Sequence, residues 1–180
     1  MQRLQKKYEE EIKAKIAKEF AIKNPMALPK LQKIIINAGV GDLMKNKEAM
    51  EALKKDLSTI TGQHPSVRNA KNSVAGFNIR RGMPVGLTVT LRGERMYAFF
   101  DRLVSMVLPR LRDFRGVPQS SFDKSGNYTI GLSEHIVFPE VDVVKSASPH
   151  GIEITIVTNS GDPEKSKFLL KILGMAFAKE

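Results

Sequence analysis

Residues 86–92, with the sequence GLTVTLR, alternate apolar and polar side chains and predict a β-strand with one buried face. The apolar side chains share one side of this strand and the polar ones share the other: Leu87, Val89 and Leu91 oppose Thr88, Thr90 and Arg92. The chain is then apolar from Met96 to Leu108 and meets Pro109, which predicts a helix that stops at the proline. This stretch therefore predicts a sheet that is covered by helices on one side.

The rest of the chain continues this mixture of short strands and helices. Further strands are predicted at 31–38, 65–69, 127–132 and 152–159, and further helices at about 2–23, 45–60 and 163–173. Gly62 stands where the C-terminal cap of the helix at 45–60 would be. The two kinds of element are interleaved without the strict alternation of a doubly wound fold. We therefore predict one α+β domain over residues 1–180, with a mostly antiparallel sheet, helices packed on one face and an open polar face.

The open polar face is predicted from the alternation of side chains in two strands. Beside Thr88, Thr90 and Arg92 it would carry Lys33 and Asn37 of the first strand. Such a row of hydrogen-bonding and basic side chains suits the backbone of a bound RNA. An ordinary solvated sheet face would show the same pattern.

The charge of the chain favours a polyanionic partner. Lys and Arg total 29 against 19 Asp and Glu, which gives a net charge of +10 and a pI of about 9.8. Eight of the ten arginines lie between Arg80 and Arg115, and residues 70–116 hold nine basic and three acidic side chains. Because arginine can bind a phosphate or a guanine edge through two hydrogen bonds, this cluster favours RNA as the partner. The alternative is a basic surface that is simply solvated.

Several kinds of chemistry are excluded or disfavoured. The chain has no cysteine, which removes disulfides, thiolate metal sites and thiol catalysis. It has no Walker-type phosphate loop, and the G-x-G at residues 39–41 lacks the third glycine of a dinucleotide fingerprint, since Met44 stands there. The histidines, His64, His135 and His150, are far apart in sequence, so we expect ordinary hydrogen-bonding roles for them. No enzymatic activity, metal or cofactor is expected.

Residues 71–84, KNSVAGFNIRRGMP, have no clear hydrophobic period and are rich in glycine. This pattern predicts a long mobile loop or an open hairpin. The Arg80–Arg81 pair can meet phosphates, while Phe77 is expected to tuck against a neighbouring strand rather than to stack on a base.

Five strings follow one another in a specific order: LPKLQKIIINAGVGD (28–42), AKNSVAGFNIRRGMPVGLTVTLRGERMYAFFDRL (70–103), LPRLRDFRG (108–116), SFDKSGNYTIGLSEHIVFPE (121–140) and GIEITIVTNS (151–160). Together they resemble the family of bacterial large-subunit ribosomal protein five, over essentially the whole chain. The resemblance implies a structural protein that binds 5S rRNA and anchors it in the central protuberance of the large subunit. It implies further contacts with 23S rRNA, other central-protuberance proteins, peptidyl-site tRNA and, across an intersubunit bridge, the small-subunit head protein thirteen.

The resemblance also implies which residues contact RNA. The rRNA contacts of the family fall on the open face and its rim, and they carry over to Asn37, Gln63, Thr90 and Arg92. With Lys33, Arg68 and Thr88 added, these residues form the predicted RNA-binding set. The tRNA-contacting loop corresponds to residues 71–84 and gives Lys71, Asn72, Ser73, Phe77, Arg80 and Arg81. The chain has Asn72 and Asn78 where lysine is common in the family, and Ala176 where proline is common.

Two other classes of protein compete with this interpretation. A non-ribosomal RNA-binding regulator or chaperone would show much of the same composition and sheet, but a borrowed module would match the family only in part. A small metabolic enzyme would need an assembled catalytic set, which the sequence does not offer. No apolar run approaches the ~20 residues of a membrane span, and the charged N-terminus is unlike a signal peptide. We therefore expect a cytoplasmic protein that is part of the large ribosomal subunit and has no membrane contact.

Overall fold

We describe the fold from a computed structural model, in which residues 2–41, 46–111, 114–142 and 149–178 are described. The strands are β1 (Leu31–Gly39), β2 (Ser66–Asn69), β3 (Pro84–Leu91), β4 (Tyr128–Leu132) and β5 (Ile152–Thr158). The α-helices are α1 (Arg3–Lys7), α2 (Lys13–Glu19), α3 (Lys47–Thr61), α4 (Gly93–Arg102) and α5 (Pro163–Ile172). Within the described residues the five strands form one antiparallel sheet in the order β2-β3-β1-β5-β4, which confirms the α+β prediction.

Burial alternates along the strands as the sequence predicted. In β3, Leu87, Val89 and Leu91 are buried, whereas Thr88 and Thr90 are only half-buried. The strands β1 and β5 follow the same rule, since their isoleucines at every second position are buried. One side of β1, β3 and β5 therefore belongs to the core, and the other side stays partly open, whereas all four residues of β2 are exposed.

The chain divides into two compact units. The first contains Met1–Ile34, Leu91–Ile130 and Thr155–Glu180, and the second contains Ile35–Thr90 and Gly131–Ile154. The second unit holds most of the predicted RNA-binding residues.

The N-terminal helix of the first unit contains a π-helical turn, Tyr8–Ile12, between α1 and α2. Its buried stripe is spaced by four residues: Leu4, Tyr8, Ile12 and Ile16. Each step of four residues advances the side chain by about 40° around a regular α-helix, and the wider turn brings the stripe back to one side. The α-helix ends at Glu19 rather than at residue 23, because Ala21 adopts a left-handed φ of 50°.

The helix after β3 differs from the prediction at both ends. It begins at Gly93 rather than at Met96, since Gly93 has a φ of 55° and turns the chain directly out of the strand. It then continues as a π-helical turn, Leu103–Val107, and a 3₁₀ turn, Leu108–Arg110. Pro109 lies inside this last turn, where proline is tolerated, so helical structure ends at Arg110, one residue beyond the predicted stop at the proline.

The C-terminal segment of the first unit, residues 176–178, forms backbone hydrogen bonds with Val117. The Val117 amide donates to the Ala176 carbonyl over 2.8 Å, and the Ala178 amide donates to the Val117 carbonyl over 3.0 Å. Gly116, with a φ of 104°, lies against this segment so closely that an added Cβ would come within 2.4 Å of the Ala178 nitrogen. A side chain at position 116 is therefore incompatible with the pairing.

Helix α3 of the second unit begins and ends at the residues that a capping pattern requires. The Asn46 side chain accepts a hydrogen bond from the Ala49 amide over 3.2 Å, and Gly62 caps the other end with a φ of 67°. The predicted cap at Gly62 is thus confirmed. Lys45, where the helix was predicted to begin, and Arg112 of the arginine cluster lie outside the described residues.

Candidate nucleic-acid interface

Antiparallel pairing of β2 with β3 places Arg68 directly beside Gly86. The register then shifts, so that Asn69 pairs with Pro84 and one residue of β3 is left over as a β-bulge. Paired residues in an antiparallel sheet point to the same side, so Arg68 projects on the side of Gly86 and Thr88. Arg68 is exposed there.

Strand β1 adds Asn37 to this group. A Cβ atom built on Gly86 would lie 3.7 Å from Oδ1 of Asn37 and 3.8 Å from Cβ of Arg68, so these two side chains converge above the glycine. The Thr88 hydroxyl donates to the Ile36 carbonyl over 3.2 Å and links β3 to β1 at the same level. Three of the predicted rRNA-binding residues therefore lie next to one another.

Thr90 extends this group two residues further along β3. It is half-buried, and within the described residues its hydroxyl has no hydrogen bond, unlike that of Thr88. The name sheet patch is used below for Asn37, Arg68, Gly86, Thr88 and Thr90.

The other predicted rRNA-binding residues stand at the ends of elements or in the first unit. Gln63 directly follows the Gly62 cap of α3, in the second unit, and is half-buried. Lys33 of β1 belongs to the first unit, as does Arg92. Arg92 is exposed but is the N-cap residue of α4 rather than the last residue of β3, so its assignment to the strand was wrong. The cause is Gly93, which turns the chain one residue later.

Residues 70–83 continue β2 and β3 as a hairpin, which is called the hairpin below. The Ala70 amide donates to the Met83 carbonyl over 2.8 Å, and the Gly82 amide donates to the Ala70 carbonyl over 2.9 Å. Val74 and Ile79 exchange two further backbone bonds of 2.8 and 3.2 Å. Of the two structures predicted for this segment, the hairpin is therefore the correct one, and its mobility stays a prediction.

The tip of the hairpin exposes an aromatic ring among cations. A 3₁₀ turn, Ala75–Phe77, is followed by Asn78 with a left-handed φ of 53°. Phe77 is 75% exposed, so the expectation that it tucks against a strand was wrong, because the turn carries it to the far end of the hairpin. The Arg81 amide donates to the Ser73 hydroxyl over 3.0 Å. The remaining polar side chains of the predicted tRNA-contacting set are exposed: Lys71, Asn72, Arg80 and Arg81.

The segment that carries the hairpin and all of the sheet patch except Asn37 has basic residues but no acidic one. Residues 63–92 contain five basic residues and no acidic one: Arg68, Lys71, Arg80, Arg81 and Arg92. Within the part of the chain that the structure describes, these five cations form no ion pair, and Lys33 forms none either. Their charge is therefore uncompensated within the described fold, and a polyanion can neutralise it.

Two histidines that are distant in sequence meet in the second unit. His135 is 1% exposed, and its Nε2 lies 3.2 Å from Oδ2 of Asp56. The His150 amide donates to Nδ1 of His135 over 3.1 Å, and the His150 ring contacts the Gly39 carbonyl through Nε2. Nδ1 of His135 also lies 3.3 Å from the His150 carbonyl, so the ring bridges Asp56 of α3 and the backbone of His150. The two histidines therefore connect the loop residues on either side of 135 and 150 to α3 and β1 through hydrogen bonds. The hydrogen-bonding role expected of these two histidines is confirmed.

The described residues offer no cluster of three or more histidine, aspartate or glutamate side chains that could hold a metal ion. Among the same residues, none of the helices has the length and apolar character that a membrane span requires. A basic hairpin beside an open strand face is instead typical of a nucleic-acid-binding protein.

Comparison with known proteins identifies the family within that class. Residues 24–80 match the family described as ribosomal protein L5, and residues 84–177 match the model of the C-terminus of the same ribosomal family. The chain is 53% identical over 175 residues to the large ribosomal subunit protein uL5 of Chloroflexus aurantiacus, with 97% of each chain covered. It is 50% identical to the uL5 of Salinibacter ruber, over 98% of this chain and 93% of that relative. It is also 50% identical to the uL5 of Dictyoglomus thermophilum, over 99% of this chain and 100% of that relative.

The chain therefore belongs to the ribosomal protein L5 family. It is a structural protein of the large ribosomal subunit in the cytoplasm and not an enzyme. The place of Gly86 in the sheet patch and the contact of Asp56 with His135 were not predicted from sequence. A lone strand glycine carries no signal of its surroundings, and neither do two residues that are 79 positions apart.

Proposed function

We propose that this protein binds 5S rRNA and anchors it in the central protuberance of the large subunit, through the sheet patch together with Lys33, Gln63 and Arg92. The observation that carries the proposal is the basic segment 63–92, which has five cations without ion pairs inside the described structure and no acidic residue. Membership of the ribosomal protein L5 family supports the choice of RNA as the polyanion.

The chemistry of the sheet patch suits the sugar–phosphate side of an RNA duplex. An A-form helix has a wide, shallow minor groove that displays 2′-hydroxyl groups, which can donate and accept hydrogen bonds. Asn37 offers an amide, and Thr90 offers a hydroxyl without a partner among the described residues. Arg68 adds a cation for the adjacent phosphate, since a guanidinium can bind phosphate through two parallel bonds. The strand face thus provides one group for each part of the RNA backbone.

The experiment that tests this proposal compares 5S rRNA with an unrelated RNA of equal length. We expect the purified protein to bind 5S rRNA more tightly in a filter assay. If Lys33, Arg68 and Arg92 each neutralise one phosphate, log affinity should fall with log salt at a slope of about −2.1 to −2.7, at ~0.7 to 0.9 per contact. Equal affinity for the two RNAs, or a flat salt dependence, would contradict the proposal.

We propose that the hairpin contacts tRNA in the peptidyl site. Phe77 is exposed at the tip and can stack on an unpaired base or ribose, because base–aromatic stacking does not require a particular base. Lys71, Arg80 and Arg81 are exposed in the same hairpin and can bind phosphates of the same RNA. Asn72 and Ser73 add hydrogen-bonding groups, where the family often carries a lysine at position 72.

This second proposal is tested by replacing residues 72–83 with a short glycine linker. We expect 5S rRNA affinity to stay within about threefold, a change below 1 kcal/mol, while tRNA dissociates faster from the peptidyl site of reconstituted ribosomes. The matched control keeps the hairpin intact and removes two of its three cations through Arg80→Gln and Arg81→Gln, which should accelerate tRNA release to a smaller extent. A large loss of 5S rRNA binding would assign the hairpin to the anchoring surface, and unchanged tRNA dissociation would remove its proposed role.

The remaining partners are proposed from the family resemblance. They are 23S rRNA, other central-protuberance proteins and the small-subunit head protein thirteen, which would be reached across an intersubunit bridge. Full-length similarity to uL5 relatives supports them over a regulator that borrowed one RNA-binding module, because the match covers 97 to 99% of this chain.

A further inference from the structure

Gly86 is the one residue of the sheet patch without a side chain, and it occupies the middle of that patch. It is paired with Arg68 on one side, and Asn37 of β1 reaches toward it from the other. Glycine in a strand interior weakens the strand, and it often marks a bulge or a place where another group approaches closely.

Backbone conformation does not explain this glycine. Gly86 does not have the positive φ that most glycines of the chain adopt, such as Gly62 or Gly116, so an L-residue can take its conformation. The adjacent bulge leaves Val85 as the extra residue of β3, and its carbonyl is already bound by the Val40 amide over 3.0 Å. Position 86 is therefore free of backbone constraints that would exclude other residues.

The space around Gly86 does limit the size of a side chain. An added Cβ would lie 3.5 Å from the Ala38 carbonyl, 3.7 Å from Oδ1 of Asn37 and 3.8 Å from Cβ of Arg68, which are ordinary contact distances. Alanine therefore fits at this position. A β-branched residue would place two further carbons where the Asn37 amide and the Arg68 stem converge, so one or both of these side chains would have to move.

We propose that Gly86 is a positioning residue, which lets Asn37 and Arg68 reach one ribose–phosphate unit of the bound RNA together. The Asn37 amide then contacts the ribose hydroxyl and the Arg68 guanidinium contacts the neighbouring phosphate. This inference rests on the proposed binding of 5S rRNA and names the part of that ligand which the centre of the sheet patch recognises.

The test measures 5S rRNA affinity and thermal stability for Gly86→Val and Gly86→Ala in the full-length chain. We expect Gly86→Val to weaken binding by about tenfold, as expected for the loss of one or two hydrogen bonds to RNA, with Tm unchanged or higher. Gly86→Ala should stay within about threefold of the wild type, since its methyl group fits. The matched control is Gly131→Val, because Gly131 is also a strand glycine but is exposed, and an added Cβ has no atom within 4 Å. This control should leave binding unchanged.

Two further measurements separate positioning from a general structural effect. Asn37→Ala should weaken binding by itself, and Gly86→Val should then have a smaller effect than it has in the wild type, because the Asn37 contact is already lost. Arg68→Ala should lower the salt slope by about 0.7 to 0.9, whereas Asn37→Ala should leave it unchanged.

The outcomes distinguish this inference from the proposal beneath it. Wild-type protein that does not prefer 5S rRNA overturns the proposed function. If the wild type binds and Gly86→Val binds equally well, or if the effects of Asn37→Ala and Gly86→Val are additive, only the role of Gly86 is overturned. An unchanged salt slope in Arg68→Ala overturns the assignment of the phosphate to Arg68.

Discussion

Val89 and Thr90 are neighbours in β3 but lie on opposite sides of the strand, so we expect their substitution to have different effects. Val89 is 2% exposed and lies in the core, whereas Thr90 is half-buried and its hydroxyl has no hydrogen bond within the described residues. Substitution of the first should therefore change the free energy of unfolding, and substitution of the second should change RNA affinity.

The magnitudes follow from what each substitution removes. Val89→Ala deletes two buried carbon atoms at about 0.8 kcal/mol each and leaves a cavity, so we expect a loss of about 2 to 3 kcal/mol. For a chain of 180 residues this corresponds to a fall in Tm of roughly 4 to 12 °C. Thr90→Val retains the branched shape and removes only the hydroxyl, which should cost about 1 kcal/mol of RNA binding, or roughly fivefold in affinity.

Both quantities are measured for both variants, by circular-dichroism melting and by filter binding to 5S rRNA. Val89→Ala should melt earlier and, at a temperature where it is folded, bind within about twofold of the wild type. Thr90→Val should melt with the wild type and bind less tightly. If Thr90→Val lowers Tm as much as Val89→Ala does, or if Val89→Ala is the variant that loses RNA affinity, the assignment of the two faces is wrong.

Two further predictions concern the first unit. Gly116→Ala should lower the free energy of unfolding by about 2 to 4 kcal/mol, because the new methyl group meets the backbone of Ala178 and φ is positive. A urea titration measures this loss. A loss of stability smaller than that of a glycine-to-alanine change at an exposed position would contradict the pairing. Burial raises the pKa of Tyr97 and of Tyr128 to about 12, above their unfolded value of about 10, so stability should be complete below pH 10 and fall between pH 10 and 12. Tyrosinate absorbance that rises near pH 10 while the protein is folded would refute this.

The parts of the fold that could be predicted from sequence are those whose signals are local. Alternation of Leu87, Val89 and Leu91 with threonines defines both faces of β3 within seven residues. The end of α3 was predicted because Gly62 is a residue type that adopts a left-handed cap without strain. Such signals depend on neighbours in the chain, so tertiary contacts did not alter them.

The errors arose where a short sequence pattern allows more than one backbone path. The strand of β3 ends at Leu91 because Gly93 turns the chain, although the alternation of side chains continues through Arg92. The ring of Phe77 is an apolar group and was expected to pack, but a 3₁₀ turn places it at an exposed tip. In both cases the deciding feature is the conformation of a turn and not the hydrophobic pattern.

The candidate site was predictable in composition but not in geometry. Polar residues on β1 and β3 could be assigned to one side of each strand by alternation alone. The convergence of Asn37 and Arg68 over Gly86 depends on the pairing register of β2 with β3 and on the bulge beside it, which no local signal specifies. The Asp56–His135 contact likewise joins residues 79 positions apart.

The order of strands in the sheet has a consequence for synthesis on the ribosome. Strand β1 has β5 as a neighbour, and β5 begins about 120 residues later in the chain, where Asn159 also bonds to Lys30. At an elongation rate of ~5 to 20 residues per second, one edge of β1 stays unpaired for roughly 6 to 24 s, until β5 has been synthesised. During this time the nascent chain presents an isoleucine-rich strand with an unpaired edge, which can pair with other chains. The waiting time is set by strand order and elongation rate, so substitutions that stabilise the finished sheet leave it unchanged.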